Sequence, residues 1–165
     1  MKTLYVVRHA KSSWEDPSLS DFDRPLNKRG YQNAPEMGNR LSIKGVVLNG
    51  ILCSPAKRAR DTCTEIAKKL GTSLSIITYN RELYHANEHT CLKLVRCIEG
   101  NFETAMIVGH NPGITSFVNK LTESTIDNVP TCGIACCTFS MTTWEAIQFG
   151  VGKLVFYDYP KRKTN

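Results

Sequence analysis

The chain begins with the run Thr3-Leu4-Tyr5-Val6-Val7-Arg8-His9-Ala10-Lys11-Ser12-Ser13-Trp14, from which its architecture can be worked out. Apolar residues at 4–7 lead directly into an Arg-His pair. A short apolar run of this kind, ended by polar residues, is typical of a buried strand. Ligands of open α/β sheets bind beyond the carboxyl ends of the strands. The run therefore predicts a strand that brings a guanidinium and an imidazole to a ligand-binding edge.

Two later stretches repeat this pattern. They read Leu52-Cys53-Ser54-Pro55-Ala56-Lys57-Arg58 and Ile107-Val108-Gly109-His110, each an apolar strand followed by a cation or an imidazole. The carboxyl ends of parallel strands meet at the same edge of a sheet. We therefore expect one compact cationic pocket built from Arg8, His9, Arg58 and His110.

Strand and helix signals alternate along the chain. After the first strand, strands are predicted over residues 46–53, 74–78, 104–108, 135–141 and 153–157. Helices are predicted over 28–42, from Pro55 to Gly71, over 88–99 with Gly100 as its end, and after Gly113. Residues 144–149 fit either a short helix or a strand. Alternation of this kind implies a mainly parallel sheet covered by helices on both faces, a three-layer α/β/α sandwich forming one domain over residues 1–165.

Capping residues locate the helix starts. Asn27 is a good N-cap for the first helix, in which Pro35 costs stability unless the helix kinks or breaks. Ser54 is predicted to cap the second helix, with Pro55 at the favoured first position. Arg58 then lies in the first turn, beside the helix's own partial positive charge. A cation is costly there unless an anion binds, which favours a functional role over a solvated helix face.

The net charge of +6 has two interpretations, attraction of an anionic substrate or binding of nucleic acid. No interleaving of aromatic and basic residues supports base stacking, so we favour phosphate. No apolar run approaches the roughly 18 residues of a membrane span. The N-terminus is charged too early for a signal peptide. We therefore expect a cytoplasmic protein that binds neither a membrane nor nucleic acid.

The seven cysteines lack the C-x-x-C spacing of a zinc or redox site. Cys132, Cys136 and Cys137 cluster, but no histidine lies near them in the sequence. Free, mostly buried thiols in a reducing compartment are the favoured interpretation. We predict no metal ligands and no cofactor.

Five motifs occur in order: Arg8-His9, Asp23-Arg24-Pro25-Leu26-Asn27 with Gly30, Ser-Pro-x-x-Arg-Ala-x-x-Thr at 54–62, Glu82-Leu83-Tyr84-His85-Ala86, and Gly109-His110-Asn111-Pro112. Together they resemble the histidine phosphatase superfamily, whose phosphoglycerate-mutase-like members carry an Arg-His nucleophile motif near the N-terminus. The resemblance is closest to the short SixA-like phosphohistidine phosphatases and covers nearly the whole chain. It implies a phosphoglycerate-mutase-like fold with an antiparallel edge strand near the end.

The resemblance implies that His9 is a nucleophile that forms a phosphohistidine intermediate. Such a histidine needs a neutral ring with one nitrogen free and the other held by a hydrogen bond, which a backbone carbonyl of the following loop could accept. The transferred phosphoryl group spreads negative charge over three oxygens. Arg8 and Arg58 suit these oxygens because a guanidinium binds two at once. His110 is expected to add a further donor.

Two further residues are expected at the rim of the pocket. Arg24 braces the pocket or binds the substrate, and Ser12 is a candidate oxygen ligand. Residues 8–14 resemble the Arg-His-Gly-Glu-Ser-x-Trp run of the mutases. Here Ala10 replaces the usual glycine and Glu15 stands where the mutases have asparagine. Glu15 puts a negative charge, which repels phosphate, in place of a neutral donor. The sequence therefore favours a mutase less.

The general acid is the largest departure from the family pattern. Many relatives place a glutamate after the third strand to protonate an alkoxide leaving group, and Leu83-Tyr84-His85 fills that place here. Glu82 and Glu88 lie nearby, and His85 is either a proton donor or an ordinary polar loop residue. Imidazole leaves far more readily than an alkoxide, so a phosphohistidine substrate needs a strong acid less.

The sequence thus predicts a metal-independent phosphatase, most simply one that acts on phosphohistidine in a protein. A phosphatase of small phosphate esters and a phosphoglycerate-mutase-like enzyme are the enzyme alternatives. A catalytically silent phosphate-binding module is the alternative from a different class. No P-loop or G-x-G-x-x-G motif supports nucleotide-driven chemistry. We expect a monomer.

Overall fold

The computed structural model describes residues 1–163. Its strands are β1 (Lys2–Arg8), β2 (Gly50–Cys53), β3 (Ile77–Tyr79), β4 (Thr104–Gly109), β5 (Ile134–Phe139) and β6 (Lys153–Asp158). Its α-helices are α1 (Lys28–Ile43), α2 (Lys57–Lys69), α3 (Glu88–Arg96) and α4 (Gly113–Thr122). Short 3₁₀ turns cover Asp21–Asp23, Leu74–Ile76 and Arg81–Leu83.

All six strands form one sheet in the order β3-β2-β4-β1-β5-β6. The β1–β4, β4–β2 and β2–β3 pairs are parallel, whereas β5 runs antiparallel to β1 and β6 antiparallel to β5. The mainly parallel sheet with antiparallel pairing near the end of the chain is therefore confirmed. The first strand is central, and its last residue, Arg8, lies opposite Gly109 of β4.

Side chains of β1 alternate between two apolar cores. Leu4 and Val6 pack with the side chains of α3 and α4, while Tyr5 and Val7 pack with those of α1 and α2. A central strand of a parallel sheet is buried on both faces, which explains why its sequence is continuously apolar. The predicted three layers are confirmed.

The first helix begins as predicted. The Asn27 side chain accepts a hydrogen bond from the Gly30 amide at 2.9 Å, and α1 continues without a break through Pro35. The second helix does not begin as predicted. It starts at Lys57 with Ala56 as its N-cap and no side-chain cap. The Ser54 hydroxyl oxygen lies just before the helix, where it accepts from the Ala56 amide at 3.3 Å and hydrogen-bonds to a histidine of another loop.

Several elements also differ from the sequence prediction. β2 begins at Gly50, so residues 46–49 of the predicted strand lie outside it. Residues 74–76 form a 3₁₀ turn, so β3 is shorter than expected, and α3 ends at Arg96, before Gly100. Residues 144–149 form neither a helix nor a strand. Trp144 is buried there, and its indole N–H donates to the Phe102 carbonyl at 2.8 Å. This tertiary anchor replaces the regular backbone bonds of a helix or strand.

The seven cysteines are free thiols, and all but Cys97 are buried. Cys136 and Cys137 are neighbours in β5 and belong to opposite cores of the sheet. Burial raises the pKa of Cys132 and of Cys137 to about 12, which keeps both thiols protonated and unreactive. Their closeness in the sequence therefore has a packing explanation.

Gly113 allows the loop before α3 to approach the start of α4. A Cβ atom on Gly113 would overlap the carbonyl oxygen of Ala86, whereas a Cβ on Gly100 would meet nothing within 4 Å. We predict that Gly113→Ala lowers the free energy of unfolding by about 1–3 kcal/mol, since a rigid backbone atom must move. Gly100→Ala is the matched control. Urea unfolding of both variants checks this, and equal stabilities would contradict it.

Candidate active site

A cleft of about 270 Å³ opens at the carboxyl ends of the parallel strands. Arg8 and His9 enter it at the end of β1, Arg58 from the first turn of α2, and His110 from the turn after β4. The cleft is lined by Arg8, His9, Lys11, Ser12, Trp14, Arg24, Arg58, Tyr84, His85, His110, Asn111 and Thr131. The structure thus brings together all seven side chains singled out from the sequence. None of these lining residues, within the described chain, is an Asp or a Glu.

The backbone at the end of β1 is held on both sides. The His9 amide donates to the Gly109 carbonyl at 3.0 Å, and the Cys132 amide donates to the carbonyls of Arg8 and His9, both at 3.0 Å. The Arg8 amide donates to the Gly133 carbonyl at 3.1 Å. The Arg-His pair therefore continues the hydrogen-bonding pattern of the sheet instead of lying on a free loop.

His9 has one ring nitrogen fixed and the other free to react. Its Nδ1 lies 2.7 Å from the Ala10 carbonyl oxygen, as the sequence led us to expect of a carbonyl in the following loop. A carbonyl can only accept, so Nδ1 carries the proton and Nε2 bears the lone pair. Burial lowers the pKa of His9 to about 4, against the raising effect of this bond, and the neighbouring arginines lower it further. The ring is therefore neutral near pH 7.

Thr62 links this loop to α2. Its hydroxyl donates to the Arg58 carbonyl at 2.7 Å and accepts from the Ala10 amide at 2.9 Å. One side chain thus anchors the residue whose carbonyl orients His9. Sequence reasoning assigned Thr62 no role, although it closes the Ser-Pro-x-x-Arg-Ala-x-x-Thr motif.

His110 lies beside His9, with the ring centroids 5.0 Å apart. Its Nε2 is 2.7 Å from the hydroxyl oxygen of Ser54, a residue that the sequence suggested only as a helix cap. Burial lowers the pKa of His110 to about 3, and the charges of His9 and Arg58 add to this effect. Two neutral imidazoles therefore share the floor of the cleft in the absence of an anion.

Several polar nitrogens in the cleft have no hydrogen-bond partner in the described chain. In residues 1–163, the buried side-chain nitrogens without a hydrogen-bond partner include Nε of Arg8, Nε of Arg58 and Nδ1 of His110. A buried polar group without a partner costs roughly 1–3 kcal/mol, and more for a charged group. All three belong to the same cleft, so an anion bound there would meet several donors at once.

Arg24 is held from several directions at the rim. Its Nη1 donates to the Ser12 hydroxyl at 2.7 Å and to the Ser13 carbonyl at 3.3 Å. Its guanidinium lies over the Trp14 ring, 3.5 Å from the centroid, although Trp14 itself is 73% exposed. These contacts are those of a bracing residue, one of the two roles considered from the sequence.

Asp21 was not singled out from the sequence, yet it joins three of the lining residues. Its carboxylate accepts hydrogen bonds from Arg24, Arg58 and Tyr84. The Tyr84 hydroxyl bond, followed by the two arginines, holds the pKa of this carboxyl well below its usual range despite partial burial. The one signal in the sequence is its spacing of three residues before Arg24.

The three candidate proton donors lie in different environments. Glu82 pairs with Lys93 at 3.0 Å and lines no part of the cleft. Glu88 pairs with Lys120 at 2.9 Å, and this bond lowers its pKa, which makes it a poor acid. His85 is exposed, lines the cleft, and stacks on Tyr84 with a centroid distance of 3.9 Å.

Within the described residues, no group of three or more His, Cys, Asp and Glu side chains is arranged to hold a metal ion. In residues 1–163, no helix is both long enough and apolar enough to cross a bilayer.

Comparison with known proteins identifies the family of the chain. The family model for the histidine phosphatase superfamily (branch 1) matches residues 4–86, half of the chain. An uncharacterised protein of Mycobacterium leprae is 30% identical over 167 residues, which cover 94% of this chain and 100% of that protein. An uncharacterised Arabidopsis thaliana protein, named as chloroplastic, is also 30% identical, with 87% of this chain and 69% of that protein covered.

Among solved structures, one assigned as the phosphohistidine phosphatase SixA of Agrobacterium tumefaciens superposes with a TM-score of 0.81 at 26% identity, over 96% of this chain and 98% of the other. The mainly parallel sheet and the cationic cleft at the carboxyl ends of its strands define a class of enzymes that handle phosphoryl groups. The chain belongs to the histidine phosphatase superfamily, branch 1. This membership and the SixA likeness support a phosphatase activity.

The lowered pKa values of His9 and His110 predict how stability depends on pH. Both folded-state values, about 4 and about 3, lie below the unfolded value near 6.5, so the unfolded chain binds more protons as the pH falls from 6.5 towards 4. Lowering the pH from 7 to 5 should therefore reduce the free energy of unfolding by about 2 kcal/mol for each histidine. Urea unfolding in phosphate-free buffer measures this loss.

His110→Gln removes one of the two contributions and should make the loss correspondingly smaller. The same loss in wild type and variant would show that His110 is not kept neutral by the fold.

Proposed function

We propose that the protein is a phosphatase that removes the phosphoryl group from phosphohistidine in a protein, by way of a phosphoenzyme intermediate on His9. The observation that carries this proposal is the state of His9: a neutral ring with Nδ1 bound to the Ala10 carbonyl and Nε2 free. Around it, Arg8, Arg58 and His110 each have a buried nitrogen without a partner. A nucleophile and donors for a phosphoryl group thus share one cleft.

The reaction proceeds in two displacements. His9 Nε2 attacks phosphorus, the bond from phosphorus to the substrate nitrogen breaks, and the released imidazole takes up a proton. Water then attacks the phosphorylated His9, which yields inorganic phosphate and restores the neutral ring. Charge on the three phosphoryl oxygens is stabilised by Arg8 and Arg58, so the positive charge needed for transfer comes from side chains and no metal ion is required.

The choice of phosphohistidine follows from the missing acid. The cleft is lined by no carboxyl group of the described chain, and nearby Asp21 and Glu88 have lowered pKa values that keep them ionised. A nitrogen leaving group such as imidazole tolerates this, whereas an alkoxide does not. The likeness to the SixA structure supports the same substrate class.

The surroundings of the cleft suit a substrate attached to a larger molecule. An adjoining cleft of about 180 Å³ shares Tyr84, His85, His110 and Asn111 with the first. Glu88 also lines it, as a carboxylate paired with Lys120. The leaving group and the chain that carries it can occupy this space. A monomer that acts in the cytoplasm remains part of the proposal.

A phosphatase of small phosphate esters is the second candidate, and one observation favours it. His85 is exposed and lines both clefts, so it can reach a leaving group and donate a proton to it. If it does, an alkoxide becomes an acceptable leaving group.

We predict that His9→Ala abolishes turnover, because the variant loses the Nε2 lone pair that the bond from Nδ1 to the Ala10 carbonyl leaves free to react. Brief exposure of wild type to a labelled phosphate substrate should trap a phosphoenzyme that survives base but not acid. His89→Ala, at an exposed histidine on α3, is the control and should keep wild-type activity. A His9→Ala rate within about tenfold of wild type would rule out His9 as nucleophile.

The missing acid predicts a steep dependence of rate on the leaving group. Phosphohistidine and aryl phosphates should react well, and alkyl phosphates such as phosphoserine poorly, because nothing strong protonates an alkoxide. A series of substrates with graded leaving-group pKa, run on wild type and His85→Ala, measures this dependence. A flat series in wild type that turns steep in His85→Ala would identify His85 as the donor and favour the second candidate.

A further inference from the structure

We propose that Asp21 is a positioning residue for phosphoryl transfer, one that holds Arg58, Arg24 and Tyr84 in a fixed arrangement around the cleft. This inference rests on the proposed phosphatase function. Asp21 lies in the 3₁₀ turn Asp21–Asp23 and is not among the residues that line the cleft. It therefore acts through the side chains that it holds.

The carboxylate of Asp21 uses both of its oxygens. Oδ1 accepts from Nε and Nη2 of Arg24 at 3.2 and 3.0 Å. Oδ2 accepts from Nη2 of Arg58 at 3.0 Å and from the hydroxyl of Tyr84. An ionised carboxylate offers about four lone-pair sites, so these four bonds saturate it.

The backbone of the same residue adds a fifth bond. The Asp21 carbonyl accepts from Nη1 of Arg58 at 2.6 Å, so residue 21 contacts both terminal nitrogens of this guanidinium. Two such contacts fix the plane of the guanidinium. The remaining N–H bonds of the Arg58 guanidinium then point in a defined direction. They include the bond on Nε, which has no hydrogen-bond partner within the described chain.

Charge makes the arrangement dependent on Asp21. The side chains of Arg24 and Arg58 are only 9% and 7% exposed, whereas that of Asp21 is 45% exposed. Buried cations that lose their counter-ion become costly and repel each other. Asp21 is thus the shared counter-ion of two buried arginines, and it joins the loop before α1, the first turn of α2 and the loop after β3.

Two other roles for Asp21 fit the structure less well. Its carboxyl stays ionised under any ordinary condition, so it has no proton to donate to a leaving group. Because it does not line the cleft, it does not occupy the place of the phosphate. Its effect should therefore appear in the rate of transfer more than in the binding of the anion.

The test compares Asp21→Asn with Asp23→Asn. Asp23 lies in the same turn. Within residues 1–163, its carboxylate accepts one side-chain hydrogen bond, from the Ser20 hydroxyl at 2.8 Å. With p-nitrophenyl phosphate as substrate, Asp21→Asn should lower kcat by about 10–100-fold, the order expected for small misplacement of catalytic groups. The dissociation constant of inorganic phosphate, measured by calorimetry, should change much less than kcat. Removing a negative charge favours anion binding, and this offsets the weaker positioning of the arginines. Asp23→Asn should match wild type.

A double-mutant cycle separates positioning from a general loss of stability. Asp21 acts through Arg58, so Asp21→Asn and Arg58→Ala together should lower kcat by much less than the product of their separate effects. A multiplicative effect would overturn the inference, as would a wild-type kcat in Asp21→Asn or an equal loss in Asp23→Asn.

Asp21→Glu keeps the charge if Asp21→Asn is too unstable to assay. Its carboxylate is displaced by one methylene, so kcat should still fall while the thermal midpoint stays near that of wild type. A wild-type kcat in Asp21→Glu would mean that charge alone suffices, against positioning. Failure of wild type to hydrolyse any phosphate substrate would instead contradict the proposed function, whereas an active wild type with an equally active Asp21→Asn would overturn the role of Asp21 alone.

Discussion

The hydrogen bond from His9 Nδ1 to the Ala10 carbonyl is the interaction on which the rest of the site depends. It selects the tautomer, and with it which nitrogen can react. Ala10 is itself held through its amide by the Thr62 hydroxyl, which also donates to the Arg58 carbonyl. A short chain of bonds therefore couples the orientation of the imidazole to the position of an arginine on α2.

Concentrated positive charge is the second constraint. Arg8, Arg24 and Arg58 lie around the buried imidazole of His9 and the half-buried imidazole of His110, and this raises the energy of the protein without a bound anion. Part of the cost is offset inside the protein by Asp21, which pairs with two of the three arginines. The Nε–H donors of Arg8 and Arg58 have no partner in the described chain and remain for the substrate. A site that binds phosphate tightly in its transition state must leave such donors open in its resting state.

Much of this could be predicted from short-range patterns. The apolar run before Arg8-His9 identified a central strand, and the repeated strand–cation pattern placed Arg58 and His110 at the same edge. The prediction failed where a side chain had a choice of partners. Ser54 has the right chemistry and position for a helix cap, but its hydroxyl binds His110, from a loop more than fifty residues away in the chain. The irregular stretch around Trp144 likewise depends on a tertiary contact, to the Phe102 carbonyl.

The sequence by itself determined the layers of the fold and the four side chains at the end of the parallel strands, because periodicity and strand ends are local properties that the sheet then aligns. Only the tertiary structure decided which polar groups meet around them. Asp21 bonds to Arg58 and Tyr84 across 37 and 63 residues of chain, a pairing that no local pattern encodes. The same holds for the neutral state of His9, since burial and neighbouring charge set its pKa, and both arise only when the chain has folded.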